Sequence, residues 1–156
     1  MDFQLKALPA DDFSPLFALA DAELAARNIV AETVTETPGT PCRVSLADAK
    51  IGERVILCNY EHQPSASPYR ARHAIYVRQG VAQAYPEVNE VPEVIQRRLI
   101  SLRFFDTRHM IVEADVVDGP EVGPALAAGF ALSFAAYAHL HYAKPGCFAA
   151  AAFPVN

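Results

Sequence analysis

The segment Tyr137-Ala138-His139-Leu140-His141-Tyr142-Ala143-Lys144-Pro145-Gly146-Cys147-Phe148 leaves the chain few ways to fold around it. Read as a strand, residues 137 to 143 place Tyr137, His139 and His141 on one face and Leu140 and Tyr142 on the other. Pro145-Gly146 supplies the central pair of a type II turn, because proline presets φ and glycine accepts a positive one. The chain then returns through Cys147 to Ala152 beside the histidine strand. The small side chains of Ala149 to Ala152 would leave room over the imidazoles for a ligand.

The remainder supplies short elements in irregular order. Phe3 to Leu8 alternates as a first strand. Ser14-Pro15 is a helix start, and Leu16, Leu19, Ala20 and Leu24 continue at helical spacing. Asp21 can instead cap a second short helix through Arg27, so one helix and two both fit. Ile29 to Glu36 is a β-branched strand. Thr37 to Arg43, with Pro38 and Pro41, is a rigid loop, and Leu46 to Lys50 reads as one helical turn. Arg54 to Tyr60 is an apolar strand. Glu61 to Arg72, carrying His62, Pro64 and Pro68, has the composition of a loop, and His73 to Arg78 is again a strand.

Pro92-Glu93 opens a helix through Arg98. Leu99 to Phe105 and His109 to Val117 form a hairpin, with Met110, Val112, Ala114 and Val116 inward. A helix after Gly119-Pro120-Glu121 is expected to bury Leu126, Phe130 and Phe134. Helices and strands do not alternate regularly, which argues against a doubly wound parallel sheet. The predicted fold is α+β, a mixed and mostly antiparallel sheet with two to four helices packed mainly on one face, in a single domain over residues 1–156.

Charge and composition exclude several partners. A net charge of −5 disfavours a nucleic-acid surface. The densest basic group, Arg97-Arg98 with Arg103 and Arg108, is interleaved with apolar residues and reads as a solvated surface before an anion site. The longest uncharged run, Val122 to Ala138, has 17 residues; a membrane span wants about 20 strongly apolar ones. Cys42, Cys58 and Cys147 are odd in number and form no C-x-x-C, so reduced thiols are expected. With no basic and apolar leader at Met1-Asp2-Phe3-Gln4-Leu5, the expected location is cytoplasmic.

Several stretches together resemble a known family. They are Pro38 to Leu46, Gly52-Glu53 leading into Tyr60-Glu61-His62, Ser67-Pro68-Tyr69 with His73, Asp118-Gly119, and the block from Tyr137 to Phe148. In these the chain resembles the small bacterial family of domains of unknown function numbered 1203. The resemblance implies a single-domain bacterial protein with no established activity. Members tend to end in a polar, Arg-containing strand, whereas this chain ends Ala149-Ala150-Ala151-Ala152-Phe153-Pro154-Val155-Asn156, so no basic residue there inherits a role.

Three sets of residues are suited to chemistry. His139 and His141, at i and i+2 on a strand, stand about 6.5–7 Å apart at Cα, a spacing from which both rings reach one divalent metal. A third ligand would come from His62, His73, Cys42 or Cys147, and spacing does not choose among them. Cys147 follows a tight turn and becomes a nucleophile if His139 or His141 acts as its base. Arg43, on its proline-fixed loop, suits capture of a carboxylate or phosphate, with Tyr69 and Arg70 or Arg72 lining the same cavity and His73 and Cys42 nearby.

The leading expectation is therefore a small-molecule site for an anionic or polar ligand: His139, His141 and Cys147 as catalytic candidates, Arg43, Tyr69, His73 and Cys42 as binding candidates. Two alternatives stand beside it. One is a homodimer packed through the histidine strand without ligand; the other is a metal-binding protein using His139 and His141. Neither a nucleic acid nor a membrane is expected as partner.

Overall fold

The alternating apolar and polar positions of the C-terminal hairpin are realised as the middle of a five-stranded antiparallel sheet. The computed structural model describes residues 1–132 and 134–155. Ser133 and Asn156, which belong to the uncharged run and to the alanine-rich end, lie outside the described residues. In chain order the elements are β1 (Asp2–Lys6), α1 (Asp21–Ala26), β2 (Val30–Thr33), β3 (Arg54–Gln63), β4 (Ala71–Arg78), α2 (Glu93–Gln96), β5 (Leu99–Phe105), β6 (Ile111–Asp118), α3 (Val122–Leu132), β7 (Tyr137–Tyr142) and β8 (Phe148–Val155). One sheet has the order β1-β8-β7-β5-β6 and a second the order β2-β3-β4. The strand pairs are antiparallel, and the fold is α+β.

Opposed residues in a ladder share a face, so the register says which side chains meet. Leu102 opposes Leu140, Phe104 opposes Ala138, and Ala138 and Leu5 both oppose Ala152. These residues form one apolar face, on which α3 lays Val122, Leu126 and Phe130. Gly129 permits the close approach: a Cβ there would stand 2.2 Å from the tip of the Phe104 ring. The other face of the large sheet carries the histidines and Phe148, and Phe148 joins Ile56, Cys58 and Ile75 of the second sheet in a separate core. With both faces covered, β7 is buried from Ala138 to Tyr142, as expected for a central strand.

The turn and return strand follow the sequence reading. Gly146 adopts φ 79°, and β8 runs back beside β7 with a register shift between Leu140 and His141. That shift corrects the expected alanine-lined space. Ala150 opposes Leu140 on the apolar face, whereas Phe148 opposes His141 and fills the histidine side.

Other elements depart from expectation for local reasons. Ser14-Pro15 opens a 3-10 helix (Ser14–Ala18), and α1 is a separate helix. Residues 46–50 form no helical turn, since Leu46 takes φ 46°. The strand expected to stop at Tyr60 continues to Gln63. On β6 the inward set is wrong: Val112 and Val116 are exposed while Val117, opposite Ile100, packs on the main core. β6 is an edge strand and only partly covered, and its regular register opposes Val117 to Ile100 of the core face and Val116 to Ser101 of the other. Phe134 lies beyond the end of α3 and is exposed. Nor do the helices share one face, because Leu24 of α1 packs in the second core while α3 covers the first.

If α3 is seated on Phe104 through Gly129, Gly129→Ala should cost about 1–3 kcal/mol of stability by overpacking. The check is a urea unfolding curve: the midpoint should fall with the slope retained, and an unchanged midpoint would show that the ring and helix have room to separate.

Candidate metal centre

Three imidazoles from two sheets meet in the interior. Alternation along β7 presents His139 and His141 away from α3, beside Arg103 and Ser101 of β5. The third ring is His62, at the end of β3. The sequence assigned it to a loop, but the period Ile56, Cys58, Tyr60, His62 simply continues because β3 extends to Gln63. His62 lies flat on Phe148, with ring centroids 5.3 Å apart and planes 8° from parallel. Its centroid is 4.9 Å from that of His141 and 5.8 Å from that of His139. One ligand nitrogen from each of the three rings lies within 4.8 Å of the other two.

Hydrogen bonding leaves one nitrogen open on each ring. His141 Nδ1 stands 3.0 Å from the carbonyl oxygen of Gly146. A carbonyl only accepts, so Nδ1 carries the proton and Nε2 keeps a lone pair. Among the described residues, His141 Nε2, His139 Nδ1 and His62 Nδ1 are buried and have no hydrogen-bond partner. A ring that donates one N–H to a backbone carbonyl and offers its other nitrogen inward has the arrangement of a metal-ligating histidine.

Burial also removes their charge. It lowers the pKa of His62 to about 4, with Arg103 and His73 adding to the effect. Burial lowers His139 to about 3, helped by His62 and Arg103, and His141 to about 3, helped chiefly by Arg103. All three rings are uncharged at neutral pH, each keeping one N–H and one lone pair, the state a metal requires. The wall around them is aromatic: Phe105 lies 5.0 Å from His139 between centroids, and Phe148 lies 5.1 Å from it. Tyr137, further along the same face, has its hydroxyl engaged by Gln63 at 2.7 Å and His109 at 2.9 Å.

The other expected site residues go elsewhere. Arg43 and Cys147 sit together, with Arg43 Nη2 donating to Cys147 Sγ at 2.9 Å, and both line a cleft of about 690 Å³ that also includes His73. Neither His139 nor His141 lines that cleft, so the expected single pocket is two sites on opposite sides of one hairpin. The polar contact made by Cys147 Sγ is with Arg43, not with an imidazole base. Tyr69 is 38% exposed and touches Phe105. Arg70 pairs with Glu61 and Arg72 with Asn59; these three residues are not part of the cleft. Cys42 is fully buried, its sulfur accepting the backbone N–H groups of Ser45 and Arg78.

The basic group is dispersed as well. Arg97 and Arg98 line the cleft, Arg103 stands beside the histidines, and Arg108 is held by Asp106 on the surface. Sequence reasoning missed Arg103; the available signal was its position between Leu102 and Phe104, which turns it away from the apolar face. β7 lies between β8 and β5 with its histidines buried.

The model of the family described as "Protein of unknown function (DUF1203)" matches residues 39–152, a span that includes His62, His139 and His141. Comparison with curated proteins and with solved structures gives no match.

The depressed histidine pKa values carry a stability signature in the metal-free protein. Folded, the rings stay neutral; unfolded, they take a proton near the ordinary 6.5. The unfolded chain therefore binds more protons below that pH, and stability must fall on acidification. The expected slope is at most about 1.4 kcal/mol per pH unit for each ring. Urea midpoints from about pH 6.5 to pH 5, above the carboxylate range, should decline in the native chain and decline less in His139→Leu. A flat profile would mean that the rings are hydrated.

Proposed function

Because the chain belongs to the DUF1203 family, whose description assigns no activity, we propose from the site's own chemistry that it is a metal-binding protein, holding one divalent transition-metal ion through His62, His139 and His141. The supporting observation is the convergence of one ligand nitrogen from each ring within 4.8 Å. Neutral imidazole suits zinc, copper, iron and nickel. In a tetrahedral zinc site ligand nitrogens stand about 3.3 Å apart, so the rings draw inward on binding. His62 stands next to the register shift between Tyr60 and Gln63.

Among the described residues no fourth His, Cys, Asp or Glu joins the group. Three protein ligands with an open fourth position are the pattern of metal sites that accept an exogenous ligand rather than of closed structural ones. Three neutral rings leave the charge of the ion uncompensated, and Arg103 adds to it. The exchangeable ligand is then an anion, attracted by both.

Titration of the metal-free protein with zinc, and with cobalt for its visible spectrum, should show one equivalent bound and a raised unfolding temperature. His62→Ala, His139→Ala and His141→Ala should each weaken binding at least about tenfold. A folded protein that takes up no stoichiometric metal would reduce the cluster to an aromatic packing arrangement in which His62 merely stacks on Phe148.

A further inference from the structure

We propose that the cleft on the opposite side of the C-terminal hairpin binds a small organic carboxylate, its head at Arg43 and Tyr142 and its apolar body against Leu57 and Leu99. None of the three clustered imidazoles lines this cleft, so the inference stands apart from the metal centre. Its volume of about 690 Å³ lies within the usual range for small-molecule sites.

Two buried polar groups in the lining have unmet needs. Arg43 is 1% exposed. Its guanidinium donates from Nε to Phe148 O at 2.7 Å, from Nη1 to Pro41 O, and from Nη2 to Cys147 Sγ at 2.9 Å. Of its five N–H groups, these use three, and no carboxylate pairs with it among the described residues. A buried cation without a counter-charge is costly. The hydroxyl of Tyr142 is also buried and has no partner among the described residues. Arg43 stands 4.9 Å from the centroid of the same ring and Arg98 5.3 Å from it. An anion at this point supplies the missing charge and accepts from both donors.

The rest of the lining sets the ligand class. Four cationic side chains line the cleft, namely Arg43, Arg97, Arg98 and Lys144, against the single carboxylate of Asp118. This is an unusual concentration for a chain of net charge −5. Arg97 is paired with Glu93 and Arg98 with Asp48, which leaves Lys144, on the hairpin turn, to attract the ligand. Apart from His73 and the hydroxyls of Tyr76 and Tyr142, the rest of the wall is largely apolar, so a bare inorganic anion would leave most of it unfilled.

Calorimetric titrations with octanoate, octanol and inorganic phosphate separate the requirements. Octanoate should bind, and octanol and phosphate should bind at least about tenfold more weakly, each lacking one half of the recognition. Tyr142→Phe should weaken octanoate about tenfold while the protein stays folded, because its hydroxyl has no protein partner to lose; Lys144→Glu should weaken it several-fold. The proposal fails if octanol binds as well as octanoate, if phosphate binds as tightly, or if the folded protein binds no octanoate. Octanoate binding that both substitutions leave unchanged would locate the ligand elsewhere and overturn it equally.

Discussion

Desolvation of three imidazoles where two sheets meet is the interaction around which the rest of this molecule is arranged. A buried ring nitrogen without a partner costs about 1–3 kcal/mol. His62, His139 and His141 each keep one. On the opposite face of β7, under α3, Ala138 and Leu140 are apolar and 0% exposed, and their packing offsets that cost. Burial and neighbouring positive charge hold the rings neutral, and a neutral ring keeps the lone pair that the proposed metal site would use.

The C-terminal hairpin links the two sides of the sheet. The carbonyl of Gly146 fixes the tautomer of His141, while the next two residues, Cys147 and Phe148, accept from Arg43. Phe148 also forms the flat surface on which His62 rests. One tight turn thus sets the geometry of the imidazole cluster and of the cationic cleft. Among the described residues no helix is long and apolar enough to cross a membrane.

Legibility varied with the range of the interaction involved. The alternation of Tyr137, His139 and His141, the Pro145-Gly146 turn and the antiparallel return strand rest on contacts between near neighbours, and they were readable. His62 was named as one of four candidates for a third ligand, yet only the extension of β3 by three residues selects it. Tertiary pairing overrode a loop-like composition there. Val112, Val116 and Phe134 were misplaced because hydrophobicity marks what can be buried, whereas an edge strand and a helix end have nothing to bury it against. Arg43 and Cys147 were expected beside the histidines; they meet each other instead, in a cleft that none of the three imidazoles lines.

Local stereochemistry written into the chain was enough to specify an α+β framework, the strand that carries two histidines and the bend that follows it. Backbone dihedrals and side-chain alternation depend on residues a few positions apart, and these the sequence states outright. The partner of those histidines, the direction of Arg43 and the separation of one expected pocket into two belong to the folded molecule. They depend on register and on sheet-to-sheet packing between segments some eighty to a hundred residues apart, as with His62 and His141 or Arg43 and Cys147. No local pattern records which distant surface will close over a given face.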